Sequence, residues 1–174
     1  MTTTYEDGLG GRMTILEQGS ATTPMRFRAL MPKGMGPPAA ECHPRQTEDF
    51  TVLRGTLDLG VVEGRHVVLR AGDAFHLPAG VYHLPANPGD DELEFEAVLT
   101  PGLESGAMFA DLCAVMRDFR GLGRFARVSM VFRRYAKLIS FKPPVRVVMM
   151  IVAVMAGLFG VMTLPASRAE QGGT

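Results

Sequence analysis

At 174 residues the chain is one domain of ordinary size with some excess, too short for a fusion of two enzymes. Hydrophobic residues make up 47% and charged residues 21%, a composition that can bury a core and excludes a disordered or fibrous protein. Two cysteines, Cys42 and Cys113, cannot build a disulfide framework or a zinc-finger cluster, and the start MTTTYEDGLGG lacks the basic and apolar stretches of a secretory leader. A cytoplasmic protein is expected.

In chain order, segments 13–17, 25–31, 50–53, 56–62, 66–70, 74–77 and 92–99 are short, often alternating, and rich in Val, Leu, Phe and Thr. Gly34, Gly36, Pro37, Pro38, Gly55, Gly64, Gly72, Pro78, Gly80, Asn87, Pro88 and Gly89 punctuate them at the close spacing of an all-β barrel or sandwich, not of βαβ units. In LEFEAVL, Leu93, Phe95, Ala97 and Leu99 alternate against Glu94, Glu96 and Val98, which predicts one buried face. After Glu104 the period changes to that of helices, expected over 107–119 and 125–140, interrupted at Gly121-Leu-Gly123 and stopped at Pro143-Pro144. The division is a β barrel over 1–104 and a helical extension over 105–174.

Charge divides at the same place. Residues 1–104 hold 8 basic and 15 acidic side chains, whereas 105–174 hold 10 basic and 3 acidic, so a chain of net charge zero carries its positive charge at the C-terminal end. The stretch 117–146 is followed by VVMMIVAVMAGLFGVMTL, an uncharged run over 147–164 that would form a helix of about 27 Å against a bilayer core of about 30 Å. Basic residues ahead of an apolar run fit the positive-inside rule and an anionic lipid surface, with the barrel cytoplasmic and the C-terminus across the bilayer. The competing expectation is a buried helix packed on the barrel or across a homodimer. Nucleic acid is not expected as a partner, because the basic stretch is amphipathic and apolar-rich and carries no recognition motif.

Two of the four histidines stand in patterned surroundings. In Glu41-Cys42-His43-Pro44-Arg45-Gln46-Thr47-Glu48, a strand puts Glu41 and His43 on one face with Cys42 turned away. His83 follows a Gly72, Pro78, Gly80 series and precedes Asn87. Two imidazoles with one or two carboxylates form a donor set for iron, manganese, nickel or zinc, with open positions when only three or four bind. His76 alternates with Phe75 and Leu77, which turns it toward the pocket or toward water and makes it a weaker candidate for substrate contact. His66 is expected to be exposed, Cys42 to be a small buried residue, and Asn87 with the glycines to shape turns.

At these residues the sequence resembles the cupin family. The family's second motif, Gly-x5-Pro-x-Gly-x2-His-x3-Asn, is met by Gly72, Pro78, Gly80, His83 and Asn87. Its first, His-x-His-x3-4-Glu-x6-Gly, is met by His43, Glu48 and Gly55, with Glu41 where the first histidine belongs. The resemblance covers roughly 25–100 and implies a mainly β fold, a double-stranded β-helix or jelly-roll barrel, here followed by C-terminal α-helices. It implies that His43, Glu48 and His83 are ligands of a divalent metal pointing into the barrel. Glu41 either completes the set as a fourth ligand or marks a site that has lost tight binding. The function implied is a metal-binding cupin acting on a small polar molecule, as a dioxygenase-like or isomerase-type enzyme; the alternative is a non-catalytic ligand-binding or sensor protein, membrane-associated through its tail.

Overall fold

Alternating side chains on short strands decide the first hundred residues of the computed structural model, which describes residues 2–158. Strands β1 (Thr3–Glu6), β2 (Arg12–Glu17), β3 (Met25–Met31), β5 (Thr47–Arg54), β8 (Ala74–Leu77) and β9 (Leu93–Thr100) form one sheet in the order β1-β2-β3-β9-β5-β8. The hairpin of β6 (Thr56–Val62) and β7 (Arg65–Arg70) and the pair of β4 (Glu41–Cys42) with β10 (Ser140–Phe141) complete a double-stranded β-helix. Leu93, Phe95, Ala97 and Leu99 of β9 are all buried and meet Phe27, Phe50, Val52, Leu57 and Leu59 in the barrel core. At about 25 cal/mol per Å², each such side chain contributes about 1.5–3 kcal/mol on leaving water. The turn after β5 requires glycine: Gly55 has φ +83°, and a Cβ there would come within 2.7 Å of the Glu92 carbonyl oxygen.

Helices α1 (Ser105–Asp118), α2 (Gly121–Arg134) and α3 (Val145–Leu158) follow. Their core joins Met108, Val115, Val131, Tyr135, Leu138, Ile139, Phe141 and Met149, and Phe109 packs against this cluster and the barrel core alike, its ring 5.1 Å from that of Phe27. The Asp111 carboxylate ties α1 to the end of α2, accepting from the Tyr135 hydroxyl at 3.0 Å and from Arg134 at 3.3 Å.

The structure differs from these expectations in the second helix and adds strands that the sequence did not mark. The second helix begins at the glycines instead of after them and ends at Arg134, because the chain must turn at Tyr135 to bring Ser140 and Phe141 beside Cys42 and Glu41. The strands β1 and β10 carry no pattern that sets them apart. The described part of the third helix has 14 residues, a length of about 21 Å, and no helix among the described residues is long and apolar enough to cross a membrane. Residues 159–164 of the expected apolar run lie outside the described residues.

Candidate metal centre

Backbone pairing brings the two motifs together. Glu41 and His83 are directly opposite each other, each N–H donating to the other's carbonyl at 2.8 Å, so their side chains leave the same face of the ladder. The Gly80 N–H donates to the His43 carbonyl at 2.9 Å, clamping the second motif's turn onto the first. Glu48 comes from β5, where Glu48, Phe50 and Val52 alternate inward; its carboxylate is thereby carried on the core face at 5% exposure. Asn87 holds its loop by donating from Nδ2 to the Met31 and Asp91 carbonyls and accepting from the Gly89 N–H.

One ligand atom each from Glu41, His43 and His83 lies within 4.8 Å of the others. Glu48 Oε2 stands 3.4 Å from His43 Nε2 and 3.3 Å from His83 Nε2. Two atoms bound to one ion at about 2.1 Å are separated by about 3–3.5 Å, so these spacings fit a shared cation. The tautomers fit as well. His43 Nδ1 is 3.0 Å from the Leu138 carbonyl and His83 Nδ1 is 3.4 Å from that of Val81, contacts that place the proton on Nδ1 and leave the Nε2 lone pairs facing Glu48. Glu48 Oε2 and His83 Nε2 are buried without a hydrogen-bond partner, and their 3.3 Å approach is an electrostatic contact. Unsatisfied buried polar atoms are costly, and a divalent ion between them would satisfy both.

Without a cation the charges interlock. Burial opposes ionisation of Glu48, but the imidazoles of His43 and His83 outweigh it and hold its pKa below the ordinary carboxylate value. Burial likewise opposes protonation of His83, and the Glu48 and Glu41 carboxylates reverse that, raising its pKa. For Glu41 burial wins, with the two imidazoles only partly offsetting it, and its pKa is raised. Both shifts favour the protonated forms of His83 and Glu41, with which a cation would compete.

The structure thus gathers Glu41, His43, Glu48 and His83. His76 is not part of the group: its Nδ1 lies 2.6 Å from Asp49 Oδ1 on the outer face of the sheet, 60% exposed, away from the cavity. His66 is exposed too, paired with Asp58, and Cys42 is buried.

Glu41, His43 and Glu48 open onto a cavity of about 540 Å³ between the barrel and the helices. Its walls include Phe27, Phe50 and Phe95 from the barrel and Met108, Phe109, Leu112, Met116, Val128, Phe132 and Ile139 from the extension. The segment between α2 and α3 is also a structural partner of the centre, through the Leu138 carbonyl on His43 and through Phe141 of β10, which pairs with Glu41. Sequence reasoning missed this contribution. The stripe Met108, Leu112, Met116 at four-residue spacing was visible, but nothing local distinguishes a cavity wall from a packed face.

Residues 27–100 match the model of the family described as "Cupin domain". That match places a cupin domain at residues 27–100 of the barrel. Among curated relatives, germin-like protein 5-1 of Oryza sativa subsp. japonica is 37% identical over 84 residues, covering 44% of this chain and 37% of its own. Germin-like protein 8-2 of the same plant is 44% identical over 63 residues, covering 33% of this chain and 28% of its own. The chain spans about a third of the length of these relatives. Among solved structures, an RmlC-like cupin from Shewanella frigidimarina superimposes with a TM-score of 0.50 at 25% identity, covering 61% of this chain and 89% of that one.

Proposed function

We propose that this cupin holds a divalent ion, iron, manganese, nickel or zinc, through Glu41, His43, Glu48 and His83, and acts on a small molecule in an oxygenase- or isomerase-type reaction. The observation that carries the reading is the convergence of Glu48 Oε2 with two Nε2 atoms, two of the three lacking any hydrogen-bond partner. A bound ion of this kind supplies Lewis acidity and, where it is redox-active, a route to oxygen chemistry. The chain's own residues do the rest. Leu138 and Val81 carbonyls set the imidazole tautomers, Glu48 approaches both rings, and apolar side chains line the cavity beside them. The test is titration of dialysed full-length protein with Mn²⁺, followed by loss of the free-ion paramagnetic resonance signal. Binding that disappears in His43→Ala and His83→Ala supports the reading; equal binding in the variants overturns it.

A second reading is a non-catalytic ligand-binding or sensor cupin, favoured by Glu41 at the place of a histidine. Glu41→His separates the two: an enzyme centre already filled gains little affinity, whereas a weakened centre gains much. We also propose contact with an anionic membrane surface through the extension. Val147, Val148, Met150, Ile151, Val154 and Met155 are exposed on one side of α3, with Arg146 and Lys142 exposed at its start. Full-length protein should float with vesicles containing phosphatidylserine and not with neutral vesicles; a homodimer in sedimentation that leaves both vesicle types bare assigns the face to a second copy instead.

A further inference from the structure

We infer that the cavity takes an amphiphile, an acyl or alkyl chain of several carbons ending in an anionic oxygen group that reaches Glu41, His43 and Glu48. The inference deepens the proposed function and rests on its metal centre for the head group only.

Protein interiors leave few voids larger than a water molecule, so about 540 Å³ of open space is a built feature of ligand-pocket size. Its walls select apolar surface: Phe27 and Phe95 face it from the barrel, Phe109, Leu112, Met116 and Phe132 from the helices. The other charged groups along it are already engaged. Asp7 accepts from the Leu9 and Gly11 amides, Arg12 pairs with Glu6, and Lys33 pairs with Asp90. A wholly polar ligand would therefore leave most of its groups without partners, at a cost for each. The polar groups left to receive a ligand are those of the centre: Glu41, His43 and Glu48 line the cavity, and Glu48 Oε2 and His83 Nε2 are buried without hydrogen-bond partners. The sequence-based expectation of a polar substrate is thus narrowed to a polar head on an apolar body.

The test is calorimetric titration of the full-length chain, with and without Mn²⁺, using acetate, hexanoate, decanoate and 1-decanol. Affinity should rise about three- to fourfold per methylene until the cavity is filled. Decanoate should exceed decanol only when Mn²⁺ is present. Leu112→Arg should remove the dependence on chain length and leave Mn²⁺ binding unchanged. Hexanoate and decanoate binding no tighter than acetate overturns the inference, and this comparison needs no variant. If decanoate and decanol bind alike in the Mn²⁺-loaded protein, the head-group assignment is overturned. If Mn²⁺ fails to bind while the chain-length series persists, the metal reading falls and the apolar channel stands.

Discussion

Replacing Glu48 by Gln keeps the side chain's volume and removes one charge from the point where the two motifs meet. Glu48 Oε2 lies 3.3–3.4 Å from both imidazole nitrogens, and a cation shared by the three would lie closer still; even at the 3.3 Å separation a unit positive charge interacts with a carboxylate by about 5 kcal/mol at an effective dielectric near 20. Desolvating a buried carboxylate offsets several kcal/mol of this, leaving a net loss of about 2–4 kcal/mol, or roughly 30- to 1000-fold in divalent-metal affinity. The assay is competition with a chromophoric chelator at pH 7.5, using full-length protein and circular dichroism to confirm that the barrel is folded. His76→Ala is the control, since its exposed pair with Asp49 lies outside the cavity. Glu48→Gln binding within threefold of the parent, in a folded barrel, would refute the placement of Glu48 in the centre.

The metal-free protein should lose stability at both ends of the pH range. Glu48, held below 4.5, contributes stability that is present above that value and lost as pH falls, whereas His83, held above 6.5, contributes stability that is complete below 6.5 and lost as pH rises through its raised pKa. Glu41, raised above 4.5, acts in the same direction as His83, so chemical denaturation of the metal-free chain should show a decline from pH 5 to pH 8 that added metal abolishes. An unchanged or rising profile would contradict the charge assignment. Tyr135, whose hydroxyl is pushed up to about 12 by burial and then by Asp111, should cost about 1–3 kcal/mol when changed to Phe, read as a shift in the urea midpoint. Cys113, pushed up to about 12 by burial, and Cys42, raised by the same cause, should label slowly with a disulfide reagent at pH 8 and fully only in denaturant; rapid labelling of the native chain would show the walls to be open.

Strands with strict alternation were legible because burial on one face imposes a period of two. Met25–Met31, Thr56–Val62 and Ala74–Leu77 were foreseen to the residue, and β9 to within one residue at each end. Glu41, His43, Glu48 and His83 were named together through the cupin resemblance, not through spacing alone, and the structure shows what brings two of them together: an antiparallel bridge sets Glu41 opposite His83. Non-local pairing was not legible. Nothing within Ser140-Phe141 announces a strand, since its partner is a hundred residues away, and so the Leu138 carbonyl behind His43 was also out of reach. His76 was read as facing either the pocket or water, and the structure has it at water. Alternation says that it opposes Phe75 and Leu77, but on a short edge strand the opposite side was solvent, where Asp49 meets it. The cavity arose from packing between barrel and helices, a relation that periodicity within either part does not contain.

The most direct test of the central claim is the metal content of full-length protein purified without added metal and without chelators, by inductively coupled plasma mass spectrometry, beside His83→Ala. The account predicts near-stoichiometric divalent metal in the parent and little in the variant. A folded parent that carries no metal and takes up none on incubation with Fe²⁺, Mn²⁺, Ni²⁺ or Zn²⁺, or a variant that keeps its metal, would contradict it.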